Sequence, residues 1–187
     1  MKSIRSKLLA LASRRCLAAQ WLILVPVVLL PLSAGVASVG AKGQERSLPF
    51  RATYSAAQTV TVDPLRCPVL TVNAEGGGQA THLGRFTSVQ SHCIDPEGSD
   101  PLGFTDGFYT FTAANGDAIF GSYSGRLVPT DAPGVFGLSG HFTIAGGTGR
   151  FEDASGDGSA SGLVNLVTGE ASVFLQGSIS SVGSDKG

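Results

Sequence analysis

The stretch that most restricts the fold runs from Gly140 to Gly156. A half-alternating apolar run, His141-Phe142-Thr143-Ile144, enters the cluster Gly146-Gly147-Thr148-Gly149, and Arg150-Phe151 leads out into a second run of small residues ending at Gly156. That pattern predicts a strand, a tight corner and another strand. Weaker versions of it fill the chain from Pro49 onward. Apolar residues alternate or cluster in short runs, and glycine interrupts them roughly every 8–12 residues, the spacing of an all-β sandwich or barrel. No stretch of this part carries the 3.6-residue apolar period of a helix.

Taken in order, strands are predicted over Pro49–Thr61, Cys67–Ala74, Gln79–Ile94, Phe104–Ala113, Ala118–Val128 and Val135–Ile144. Arg150–Ala154 forms the exit from the glycine corner, and Gly158–Leu166 and Ala171–Val182 make a last hairpin across Thr168-Gly169. Turns are expected at Asp63-Pro64-Leu65, at Glu75-Gly76-Gly77-Gly78, and at Asn115-Gly116-Asp117, where Asn-Gly reaches the left-handed region cheaply. Leu83, Phe86 and Val89 are core candidates, as are Val173, Leu175 and Ile179 in the final strand. Sequential hairpins favour an up-and-down order, and closing the sheet removes its edges. The expected fold is all-β, a single closed antiparallel up-and-down barrel of about eight strands, preceded by an N-terminal signal segment.

The leader is a separate object. Lys2, Arg5, Lys7, Arg14 and Arg15 precede an apolar run from Leu17 to Leu32, and small residues follow through Ala41. This is the layout of a secretory signal, with cleavage expected after Ala37 or Ala41. The run is also near the ~20 residues that span a bilayer, but Pro26, Pro31 and the small-residue tail favour cleavage. Arg14 and Arg15 before Cys16 do not resemble a lipoprotein signal. The domain plan is 1–41 signal peptide, 42–49 flexible lead-in, 50–182 barrel and 183–187 tail. The expected location is secreted or periplasmic.

Cleavage changes the charge. The leader holds five of the 13 basic residues and none of the 14 acidic ones, so the remainder carries 8 basic against 14 acidic, a net of −6. Such a balance argues against nucleic acid as a partner, because affinity there rests on Lys and Arg against phosphates. Two cysteines remain, Cys67 and Cys93. In an oxidising compartment an isolated pair is expected to form one disulfide. Closing a loop of that size stabilises by roughly 3 kcal/mol in the entropic model. An antiparallel hairpin would bring those two positions together.

The stretch Ile144-x-Gly146-Gly147-Thr148-Gly149-Arg150-Phe151-x-x-Ala154-x-Gly156 resembles the Gly-Gly-Thr-Gly-x-Phe-x-x-Ala-x-Gly motif of dirigent proteins and the related allene oxide cyclase barrels. Thr81-His82-Leu83-Gly84-Arg85-Phe86-Thr87 and Ala114-Asn115-Gly116-Asp117 resemble motifs of bacterial secreted proteins with such a domain. The resemblance covers about residues 50–182. It implies an eight-stranded antiparallel barrel with the glycine motif at a strand corner, so Gly146, Gly147, Thr148, Gly149, Phe151 and Gly156 are assigned a structural role. It implies no catalytic position here. Allene oxide cyclases isomerise a fatty-acid epoxide and dirigent proteins orient phenoxy-radical coupling, and their placed polar residues have no identified counterparts in this sequence.

Other motifs weigh toward structure. Gly146–Gly149 lacks the helix N-terminus and the Gly-Lys-Ser/Thr of a phosphate cradle. Asp153-x-Ser155-x-Asp157-Gly158 starts like a calcium loop, but its twelfth position is Val164 rather than Glu. His82, His92 and His141 lack zinc-site spacing and are expected to be hydrogen-bonded or exposed, although His82 and His141 could face each other across the sheet. No Gly-x-Ser-x-Gly elbow is present. Arg85 and Arg126 are expected to point outward. No catalytic residue, metal ligand or cofactor is assigned, and no residue is assigned to ligand binding.

Three functions follow. The favoured one is a barrel without a catalytic centre that binds a small apolar ligand in its mouth. The alternatives are an isomerase or cyclase acting on an apolar substrate in the cavity, and a structural module that forms a homo-oligomer through a sheet face. No membrane contact is expected after signal cleavage.

Overall fold

A computed structural model of the protein describes residues 47–180 and 182. The leader, both of its cleavage positions, most of the 42–49 lead-in and the 183–187 tail lie outside the described residues. The eight strands are β1 (Leu48–Thr61), β2 (Leu70–Ala80), β3 (Gly84–Ile94), β4 (Gly103–Ala113), β5 (Ala118–Pro129), β6 (Val135–Gly147), β7 (Gly156–Asn165) and β8 (Glu170–Ile179). Each pairs antiparallel with its sequence neighbour, and β8 pairs with β1, which closes the barrel. The all-β up-and-down barrel expected from the sequence is the fold observed.

Three local expectations are corrected. Glu75–Gly78 is not a turn, because β2 runs straight through it to Ala80. The chain reverses instead at Thr81-His82-Leu83, where His82 takes φ 64° and Gly84 takes φ 73°. Thr81 Oγ1 caps that turn by accepting from the Arg51 N–H at 2.9 Å. Val89 is not core; it is 55% exposed. Strand side chains alternate with period 2, so a residue three positions from Phe86 must point to the other face. Lastly, the exit from the glycine corner is not a strand. Gly149–Phe151 forms one 3-10 turn before β7 begins at Gly156.

The barrel has two unlike ends. At one end, Phe50, Phe86, Phe111, Ile119, Phe142, Phe151 and Ile179 are almost completely buried and plug the interior. The Gly146–Gly156 motif lies here and serves the plug. Gly149 at φ 58° turns the chain. Thr148 ties the corner to the start of β5, accepting from the Ala118 N–H through Oγ1 at 2.9 Å and donating its own N–H to Ala118 O at 2.8 Å. Phe151 then enters the core.

The other end carries the 62–69 segment and the β3–β4, β5–β6 and β7–β8 loops. Cys67 and Cys93 form the disulfide, with S–S 2.06 Å and Cα–Cα 5.4 Å. It straps the 62–69 segment against the outside of β3. Arg66 extends the strap: its guanidinium donates to Ser91 O at 3.3 Å and to Asp106 O, and it stacks over Phe108 at 4.8 Å. Asp106 takes φ 51° within a bulge of β4. The bulge also resets parity, so that Phe104 and Tyr109, an odd number of residues apart, both point inward.

Candidate functional site

The interior above the aromatic plug is not filled. A cavity of about 280 Å³ opens toward the end that carries the 62–69 segment. Its space comes from unequal strand faces. On β7 the inward positions Gly158, Ala160 and Gly162 contribute almost no side chain, and Val164 follows them at the open end. Facing inward elsewhere are Tyr54 of β1, Gln90 and His92 of β3, Phe104 and Tyr109 of β4, and Tyr123 of β5. Aliphatic groups such as Val72, Leu138 and Val173 complete the wall. No Asp, Glu, Lys or Arg lines this cavity among the described residues.

The polar groups in it form two small sets. Tyr54 Oη donates to Gln90 Oε1 at 3.2 Å, and Gln90 Nε2 donates to Ser88 Oγ at 3.3 Å. His92 Nδ1 and Tyr123 Oη are 2.8 Å apart. The His92 ring also packs against Phe104, with centroids 5.1 Å apart. Tyr109 Oη donates to Thr143 O at 2.9 Å and is thereby held in the wall.

Burial keeps all these groups neutral. It pushes the Tyr54 phenol up to about 12, against a lowering by the Gln90 hydrogen bond. It raises Tyr109 and Tyr123 as well. It depresses His92 to about 4, helped by the Arg66 guanidinium on the far side of the wall. Water is a poor competitor in such a site, and a charge entering it meets no counter-charge.

The residues singled out from sequence lie mostly elsewhere. His82 is exposed in the β2–β3 turn, with Nε2 3.1 Å from Pro49 O. His141 is exposed on β6, in register with Ser124 and Ser159 and not with His82. Arg85 is exposed, and so is Arg126, which sits 3.4 Å from Asp100. Asp153, Ser155 and Asp157 are exposed, and Ser155 Oγ lies 2.7 Å from Ser180 Oγ. Among the described residues no three His, Cys, Asp or Glu side chains converge as a metal site would require. His92 is the histidine that enters the cavity. Sequence reasoning missed the set Ser88-Gln90-His92, although its signal was available: these positions continue the parity of Phe86 toward the end of the same strand.

Among solved structures, the chain is similar to two pterocarpan synthase dirigent proteins. With GePTS1 the TM-score is 0.51 at 15% identity, over 74% of this chain and 90% of that one. With PsPTS1 it is 0.53 at 13% identity, over 75% and 99%. The barrel therefore has a dirigent-like fold. No protein-family model matches the chain, and no curated protein is a significant match.

Proposed function

We propose that the protein is an exported dirigent-like barrel that holds a small apolar molecule in its cavity. The observation that carries this is a space of about 280 Å³, open at one end and lined, among the described residues, without a single Asp, Glu, Lys or Arg. It lies near the lower end of ligand-site volumes, roughly 300–1,000 Å³. It also exceeds the ~150 Å³ of an engineered apolar cavity that takes up benzene.

Naphthalene is a suitable probe. Burying its surface, on the order of 200 Å² at about 25 cal/mol/Å², gives roughly 5 kcal/mol before association costs. The purified protein is expected to bind it with a Kd of about 0.2 mM or weaker, read by its fluorescence. Ala160→Phe, which places a ring where β7 is bare, is expected to weaken binding at least tenfold while the circular dichroism stays unchanged. Equal binding by both proteins would place the probe outside the barrel and defeat the proposal.

Export rests on the leader. Protein recovered outside the cytoplasm is expected to begin at Ser38 or Lys42 by intact mass. Recovery only as the full chain in the membrane fraction would refute cleavage.

A second reading, an isomerase or cyclase akin to the allene oxide cyclase barrels, has its own support. It asks for a buried carboxylate or a polar cluster in the cavity. The carboxylate is missing from the described lining, whereas Tyr54-Gln90 and His92-Tyr123 supply the cluster. The similar solved structures are themselves synthases by name.

A further inference from the structure

We propose that the His92–Tyr123 pair reads the polar end of the ligand, and that this ligand is an uncharged, mainly apolar molecule bearing a carbonyl oxygen. The inference deepens the reading of the barrel as a ligand-binding protein and rests on it.

The argument starts from the pair itself. His92 Nδ1 lies 2.8 Å from Tyr123 Oη, and one proton occupies that contact. If Tyr123 donates, the neutral imidazole carries its one N–H proton on Nε2, which makes no hydrogen bond to the described residues. If Nδ1–H donates, the phenol O–H is free to turn elsewhere. In either tautomer one donor is left over. Both residues line the cavity, so the spare donor belongs to a ligand atom that accepts.

The other tyrosine hydroxyls of the cavity are already engaged. Tyr54 donates to Gln90, and Tyr109 donates to the Thr143 carbonyl. Among the Tyr and His side chains of the lining, the pair is thus the part whose donor is not consumed within the protein.

Charge narrows the class. A carboxylate or phosphate would lose its water with no Lys or Arg in the lining to replace it. The Arg66 guanidinium is felt by both members of the pair, but it is bound to the Ser91 and Asp106 carbonyls and stacked on Phe108, on the outer side of the wall. A primary ammonium finds no carboxylate. A ketone, ester or amide carbonyl satisfies the donor and carries no charge.

The test compares three probes on one scaffold: naphthalene, 2-acetylnaphthalene and 2-naphthoate. The purified protein is expected to bind the ketone about tenfold more tightly than naphthalene, the worth of one net hydrogen bond. It is expected to bind the carboxylate at least tenfold more weakly than the ketone. In the double variant His92→Phe and Tyr123→Phe the ketone's advantage is expected to shrink to within twofold, with naphthalene binding retained. Should that variant fail to fold, the carbonyl stretch of the ketone bound to the unaltered protein decides. A position below that in hexane supports the hydrogen bond, and the hexane position overturns it. Naphthalene binding without any preference for the ketone overturns this inference and leaves the binding barrel intact. No binding of any of the three removes the reading under Proposed function, and this one with it.

Discussion

Replacing Gly76 and Gly78 together by alanine is expected to leave almost no folded barrel. Both residues face inward on β2, where it packs closely against β1. A Cβ on Gly76 would sit 1.9 Å from Ser55 O, and one on Gly78 would sit 2.0 Å from Thr53 O and 2.6 Å from Tyr54 Cα. These neighbours are main chain, so no side-chain rotation relieves the clash. Overpacking of this kind costs about 3 kcal/mol per site at the upper end of its range. The pair then costs roughly 6 kcal/mol, within the 5–15 kcal/mol that stabilise a whole domain. Gly137→Ala is the control, because its Cβ would meet nothing nearer than Val128 O at 3.5 Å. Urea unfolding distinguishes the two. A double variant whose midpoint matches that of Gly137→Ala would show that the close approach of β1 and β2 is not required.

The second large effect is on acid stability. His92 in the folded barrel holds off its proton until about pH 4, because burial and the nearby Arg66 both oppose the imidazolium. In the unfolded chain it titrates near the ordinary 6.5. Between these values the unfolded state binds more protons than the folded one, so stability falls as pH falls. A separation of about 2.5 pH units corresponds to roughly 3 kcal/mol, lost between pH 6.5 and 4 and level below that. His92→Gln offers Tyr123 a hydrogen-bonding partner that does not titrate. Over the same interval its unfolding free energy is expected to fall about 3 kcal/mol less than that of the unaltered protein. Parallel curves for the two would mean that His92 takes up its proton without hindrance.

These two results probe different layers of what could be read beforehand. The architecture was legible, because glycine breaks, short alternating runs and hairpin turns such as Asn115-Gly116 are local signals, and closure follows from removing edges. The Cys67–Cys93 bridge was legible for the same reason: a hairpin brings its ends together. The role of Gly76–Gly78 was not legible. A glycine run suits a reversal and a close strand crossing equally well, and only the facing backbone of β1 distinguishes them. Val89 was misplaced because three-residue spacing was applied where two-residue parity governs.

The cavity lay further from reach. Its residues are scattered over all eight strands, and what creates it is a mismatch between an aromatic wall and a bare one. By itself the sequence determined an antiparallel barrel built on glycine hinges with one disulfide, since each of those rests on interactions between near neighbours in the chain. Tertiary structure alone decided that one end is plugged, that the other is open, and that His92 meets Tyr123 inside. Those outcomes depend on which side chains distant strands present across the same axial level, a relation that register and closure set and that no short segment contains.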